Sequence, residues 1–161
     1  MLAAVAGLTY RKIDPIADVA FAYENYLAAA IASYGSDAGA LSATRYRAWL
    51  RARVDEFPDG HVFALLGDTR IGQLELQAPY GLTTGYINLY AVSAPFRGMG
   101  FAKLMHGYVE KYFRAWEVSD VELHVSPTNE IAVNLYRAMG YCFVKDEGKQ
   151  FKMRLTLSSN A

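Results

Sequence analysis

The chain is 161 residues long, 53% hydrophobic and 20% charged, and its 16 basic and 16 acidic side chains cancel to a formal net charge of zero. That composition excludes a disordered chain, and no window gathers Lys and Arg into a groove for nucleic acid. The length suits one domain over residues 1–161 with a core of its own.

From the N-terminus, alternating apolar side chains in Leu-Thr-Tyr-Arg-Lys-Ile (8–13) predict a first strand, which Pro15 closes. Residues 16–33 are alanine-rich, with Tyr23, Tyr26, Leu27 and Ala30 at helical spacing, and predict a helix. A turn cluster over 33–39 leads to Ser42, the expected cap of a second helix over 43–56 that Pro58 and Gly60 terminate. Three strands follow at 61–67, 70–77 and 84–92, the first two joined by a hairpin at Gly67-Asp68-Thr69. A long helix is expected over about 100–116, a strand over 120–125, and a helix over 127–140 with Thr128 as cap and Gly140 as stop. A hairpin around Gly148 finishes the chain. The order is β-α-α-β-β-β-α-β-α-β-β. Its strand–helix–strand step demands at least one parallel pair in a largely antiparallel sheet, which makes the fold mixed α/β (α+β).

Cys142 is the only cysteine, so no internal disulfide or cysteine-based metal centre can form. Beside aromatics in a strand, it reads as a buried apolar filler. His61, His106 and His124 lack ligand spacing, so no metal is expected. The opening Met-Leu-Ala-Ala-Val-Ala-Gly-Leu is too short for a signal peptide and has no basic leader. No run reaches the roughly 20 apolar residues of a membrane span. These features predict a soluble cytoplasmic protein with no membrane or nucleic-acid partner. Arg45, Arg47, Arg51 and Arg53 have the spacing of a solvated helix face.

The stretch Pro95-Phe-Arg-Gly-Met-Gly-Phe-Ala-Lys-Leu-Met105 raises a chemical question. A helix starting near Gly100 leaves its first N–H groups without intrahelical partners, and its dipole adds partial positive charge there. Gly98 and Gly100 lack Cβ atoms, so an anion such as a pyrophosphate can approach the backbone, with Arg97 as a further contact. A strand-to-helix corner built for steric reasons has the same sequence. The stretch is neither a P-loop, since no Gly-Lys-Ser/Thr follows, nor the dinucleotide fingerprint, whose third glycine is missing. Met99, Phe101, Leu104 and Met105 have the spacing of core residues.

Arg97-Gly98-Met99-Gly100-Phe101-Ala102 fits the pattern Arg/Gln-X-X-Gly-X-Gly/Ala, and Asn129-Glu-Ile-Ala-Val-Asn-Leu-Tyr-Arg-Ala-Met-Gly-Tyr141 follows about 30 residues on. Together, and with the element order, these resemble the GNAT superfamily of N-acetyltransferases over nearly the whole chain. The resemblance implies acetyl-coenzyme A as donor, its pyrophosphate held by backbone N–H groups of Gly98 to Ala102. It implies that Leu89, Tyr90, Ala91 and Val92 on the fourth strand offer backbone groups to the pantetheine arm, and that Asn129 lies against the cofactor. Backbone dipoles then do the work that a basic surface would otherwise do, which agrees with the zero net charge.

In similar proteins the tyrosine matching Tyr136 donates a proton to the departing thiolate, a task a phenol can perform; the alternative is a core aromatic on an amphipathic helix. The base is open. Many relatives carry a carboxylate where this chain has Asn88, which can orient a water but cannot take a proton. Glu75 shares a strand face with Gln73 and Gln77, a polar row that belongs either to the site or to a solvent-facing surface. It, His124 and Glu122 are candidates beside a water relay, and His124 aligns with the base glutamate of the similar ribosomal-protein N-terminal acetyltransferases. Acceptor recognition is expected from the first two helices, where Tyr23, Tyr26, Tyr34, Asp37, Tyr46 and Trp49 either hold a cationic amine or pack the helices together. The expected activity is transfer of acetyl to a primary amine of a small molecule or peptide. Alternatives are a protein N-terminal acetyltransferase and a donor-binding sensor that has lost catalysis. The aromatic-rich helices and final hairpin offer a surface for a homodimer.

Overall fold

Alternation along the strands sorts their side chains onto two faces, and each face is covered by a different pair of helices. The computed structural model describes residues 7–157; residues 1–6, most of the apolar opening read above for a leader, and residues 158–161 lie outside the described residues. In chain order the elements are β1 (Leu8–Lys12), α1 (Val19–Tyr34), α2 (Ala43–Glu56), β2 (His61–Leu66), β3 (Thr69–Gln77), β4 (Thr84–Val92), a 3₁₀ turn (Ala94–Phe96), α3 (Phe101–Ala115), β5 (Asp120–Val125), α4 (Glu130–Ala138), β6 (Cys142–Asp146) and β7 (Phe151–Thr156). They build one seven-stranded sheet in the order β1-β2-β3-β4-β5-β7-β6. Its neighbours are antiparallel except β4 and β5, which α3 links as a crossover.

On one face Val62, Leu74, Leu76 and Ile87 meet the stripe Phe101, Met105, Val109, Phe113 of α3 and Val133 of α4. The helical stripe is spaced i, i+4, as one buried face requires. A Cβ at Gly85 would fall 2.3 Å from the Phe113 ring, so glycine is what lets α3 lie directly on β4. On the other face Phe63 packs with Ile13, Ala22, Tyr46 and Leu50 beneath α1 and α2. Burying each such large side chain contributes about 1.5–3 kcal/mol.

The structure departs from the sequence reading at five points. The first helix starts at Val19 rather than residue 16, because the Asp14 carboxylate accepts the N–H groups of Ile16 and Ala17 at 2.8 and 3.0 Å and holds a turn there. Asn129, not Thr128, caps α4 by accepting the Ala132 N–H at 3.3 Å. Cys142 is exposed rather than buried, because β6 is an edge strand with neither face covered. Met99 and Leu104 are also exposed, the first in the turn before α3 and the second off its buried stripe. Gln73 and Glu75 sit sealed under α1 and α2 rather than in a solvent-facing row.

Among the described residues, no helix is long and apolar enough to cross a membrane, and no group of three or more His, Cys, Asp or Glu side chains is placed to hold a metal.

Candidate active site

A parallel pair that separates creates the site. β4 and β5 pair from Thr84–Asp120 to Ile87–Leu123, and then part. Beyond that point β4 continues on β3 alone to Val92, and β5 on β7 alone to Val125. The cause lies in the β3–β4 register, which shifts between Glu75 and Leu76 and leaves Asn88 as an extra residue between Ile87 and Leu89. Such a bulge bends and twists its strand, here away from β5. The V-shaped gap is a cleft of about 930 Å³, walled by Asn88, Leu89 and Tyr90 on one side and by His124, Val125 and the Ser126–Asn129 loop on the other. Tyr136 and Ala132 of α4 line it too. The second edge of β4 past Ile87 has no strand partner, so it can pair with an extended ligand.

The roof is α1 and the loop that follows it. Tyr26, Ala29, Ala30, Ser33 and Tyr34 face the cleft, with Ser36 and Ala38–Ala40 beyond. Thr128 Oγ1 donates to the Ser33 carbonyl, Asn129 Nδ2 to Ser33 Oγ, and the Tyr34 hydroxyl to Gln150 Oε1, each at 3.3 Å. The end of α1 is thereby tied to the β5–α4 loop and to the β6–β7 turn. Tyr23 and Tyr26 hold Leu41 by its carbonyl and N–H, at 2.8 and 2.9 Å. Tyr46, on α2, is fully buried and stacks on Tyr26 of α1 at 4.9 Å, so packing claims it.

Past the end of β4 the chain turns into α3. Gly98 and Gly100 have φ of 76° and 87°, a left-handed conformation that favours glycine. Nothing lies within 4 Å of a Cβ built on either, so the space over this turn is open. No side chain caps α3, so its first N–H groups point out of the helix end. The Arg97 Nε donates to the Val92 carbonyl at 2.9 Å and fixes the turn against the strand end. Uncapped amides, an open glycine turn and an unpartnered strand edge in succession fit a diphosphate with an amide-bearing arm.

The sequence model of the acetyltransferase (GNAT) family matches residues 22–141. The chain belongs to the GNAT acetyltransferase family. No curated protein matches it in sequence. Among solved structures it is similar to yncA from Salmonella typhimurium with its cofactor acetyl-CoA, at 18% identity and a TM-score of 0.71 over 96% of both chains. It is also similar to a chain in the NatC complex bound to Gag peptide and CoA, at 24% identity and TM-score 0.66, covering 94% of this chain and 99% of that one. A third likeness is to a chimera of spermidine N-acetyltransferase SpeG from Vibrio cholerae and hSSAT, at 19% identity and TM-score 0.70, covering 92% and 95%.

On this GNAT fold the candidate residues of the sequence separate. Leu89, Tyr90, Asn129, Tyr136 and His124 come together on the cleft wall. Ala91 and Val92 continue β4 past it, and Arg97 to Ala102 form the turn and first residues of α3. Asn129 spends its side chain on the α4 cap and Ser33. Glu75 is not on the wall: only 1% exposed, it accepts from the Tyr46 hydroxyl at 2.7 Å and Gln73 Nε2 at 3.0 Å. Burial pushes its carboxyl up to about 7. Glu122 accepts from Arg154 at 2.8 Å. Tyr136 is buried, and that burial pushes its phenol above the ordinary value of 10.0, so it keeps its proton at neutral pH.

His124 has two partners that lie far from it in the chain. Its Nε2 lies 3.0 Å from Glu147 Oε2, and its Nδ1 lies 2.5 Å from the Tyr86 hydroxyl. A carboxylate only accepts, so Nε2 carries the proton of the neutral ring and Nδ1 accepts from Tyr86. Burial, then Tyr34, Glu147 and Glu122, push the Tyr86 phenol up to about 12. It remains a neutral hydroxyl that can pass a proton along rather than a standing anion.

Proposed function

We propose that the chain acts as one N-acetyltransferase domain that moves acetyl from acetyl-CoA to a primary amine of a small molecule or peptide by direct attack. The observation that carries this reading is one cleft with an unpartnered β4 edge, a buried Tyr136 and a His124 hydrogen-bonded through both ring nitrogens on its walls, leading to the uncapped start of α3. Acetyl-CoA supplies a thioester whose carbonyl carbon accepts the amine. The amides from Gly98 to Ala102, with Arg97, hold the diphosphate, and the free edge of Leu89–Val92 pairs with the pantetheine arm. A β4 N–H beside the bulge polarises the carbonyl oxygen as negative charge gathers there.

An amine arriving as ammonium gives up a proton before it attacks. The Tyr86 oxygen takes that proton while its own passes to His124 Nδ1, and Glu147 stabilises the resulting imidazolium through Nε2. Asn88, at the bulge, orients a water between amine and tyrosine. As the C–N bond forms and the C–S bond breaks, Tyr136 donates its proton to the thiolate sulfur. The second proton leaving the nitrogen returns to the Tyr136 oxygen, and the His124 imidazolium releases its proton to solvent. Glu75, sealed away from the cleft, takes no part in proton transfer.

Asn88 also favours a second reading, a donor-binding sensor without catalysis, since it stands in place of the carboxylate that the resemblance implies and cannot take a proton. The test is thiol release from acetyl-CoA over a panel of polyamines, amino acids and free N-terminal peptides. Turnover with at least one amine is expected, with Tyr136→Phe lowering kcat by about 10²-fold while coenzyme A still binds. Coenzyme A binding with no thiol release from any amine would establish the sensor instead.

A further inference from the structure

Tyr136 does not stand alone. Its ring lies between two other tyrosines, each meeting it edge to face: Tyr90 at 6.1 Å and 80°, and Tyr141 at 5.6 Å and 65°. Both neighbours are anchored to the same helix. The Tyr90 hydroxyl donates to the Ala102 carbonyl in the first turn of α3. The Tyr141 hydroxyl meets His106 Nε2 at 3.2 Å, one turn further along. His106 Nδ1 in turn lies 3.2 Å from Glu110 Oε1, so residues 102, 106 and 110 form an i, i+4 row facing the tyrosines. Glu110 accepts, so Nδ1 holds the ring proton and Nε2 accepts from Tyr141. The donor order is thereby fixed from Tyr141 to His106 to Glu110.

The backbone closes the arrangement. The Tyr141 N–H donates to the Tyr136 carbonyl at 3.0 Å, which folds the chain that follows α4 back against the last turn of that helix. Tyr141 and His106 are both buried, and burial pushes the Tyr141 phenol up and the His106 imidazole down, so the link is between neutral groups.

We propose that Tyr90, Tyr141 and His106 are positioning residues that clamp the Tyr136 ring to α3, so that the helix whose N-terminus faces the diphosphate also holds the acid against the sulfur. This rests on the reading of Tyr136 as the acid. If the three served only as core packing, phenylalanine would fill the tyrosine positions equally well. The hydroxyl anchors on α3 are what the clamp adds. Holding the phenol still matters because displacement of a catalytic group by about 1 Å costs up to about 10²-fold in rate.

The test compares Tyr141→Phe, His106→Phe, His106→Gln and Tyr136→Phe with the wild type, using the fastest acceptor of the amine panel. Tyr141→Phe and His106→Phe should each lower kcat about tenfold, with coenzyme A affinity by calorimetry and the KM for acetyl-CoA unchanged. His106→Gln, whose side-chain carbonyl can accept from Tyr141, should restore most of the loss. In a Tyr136→Phe background, Tyr141→Phe should cost nothing more, because there is no longer an acid to hold. By NMR, the Tyr136 ring should flip faster in Tyr141→Phe than in the wild type. Normal kcat in Tyr141→Phe beside a large loss in Tyr136→Phe overturns the clamp alone. A Tyr141→Phe loss that persists undiminished without the Tyr136 hydroxyl makes the residue structural and also overturns it. Full turnover in Tyr136→Phe removes the acid, and the clamp with it.

Discussion

His124 shows what one residue gains from its neighbours. A strand histidine with neither ring nitrogen engaged is an ordinary side chain. Here Nε2 meets Glu147 and Nδ1 meets Tyr86, so both ring nitrogens are engaged, and in the proposed relay the proton reaches the ring through the phenol. Tyr86→Phe keeps the ring that packs at 5.5 Å from His124 and removes only the hydroxyl. It should lower kcat/KM for the amine by about 10²-fold while coenzyme A binding stays intact, as steady-state kinetics beside calorimetry would reveal; unchanged kinetics would remove Tyr86 from the path. Neither Tyr86 nor Glu147 was legible beforehand. They lie 38 and 23 residues from His124, and they meet it only through the pairing of β4 with β5 and the hairpin that closes the sheet. No periodicity within a single strand reports that. Tyr136 was a candidate beforehand, because a short motif on one helix carries it, and the fold adds its place on the cleft wall.

The element that most changes the reading of a residue is the pair α1 and α2. They cover Glu75 so completely that its carboxyl is raised from 4.5 to about 7 by burial, while cross-strand His61 is lowered from 6.5 to about 4 by burial and then by Arg53. The two act oppositely on stability. Between about pH 4.5 and 7 the folded state keeps the Glu75 proton that the unfolded chain releases. That contribution is full below 4.5 and is lost as pH rises through 7. For His61 the unfolded chain binds the extra proton, so its contribution is full above 6.5 and is lost as pH falls through 4. Glu75→Gln keeps an acceptor for Tyr46 and Gln73 but cannot ionise. Relative to the wild type it should therefore gain stability as pH rises from 4 to 8, by on the order of 3 kcal/mol. Urea denaturation at several pH values checks this, and parallel curves for the two proteins would refute it. Strand alternation did show that Gln73 and Glu75 share a face; which helices cover that face is a matter of packing, and it converts a candidate base into a buried carboxyl raised to about 7.

At the scale of the molecule, the sheet is continuous up to Ile87 and split beyond it, and the split is where the donor is proposed to lie. A ligand that bridges β4 and the start of α3 stabilises the folded state alone. Coenzyme A at 100 times its Kd should add about 2.7 kcal/mol and raise Tm by about 5–10 °C. A thermal melt with and without coenzyme A measures this, and an unmoved transition at saturating concentrations would remove the donor from the proposal.

Element order, the crossover that forces a parallel pair, the glycine turn before α3 and the two motifs that resemble GNAT acetyltransferases were all readable from the chain, because each depends on residues close together in it. The width of the cleft, the bulge at Asn88, the sealing of Glu75, the exposure of Cys142 and the partners of His124 were not. Each depends on strand register or on which surface covers which, and those relations join residues far apart in the chain, leaving no local pattern to read.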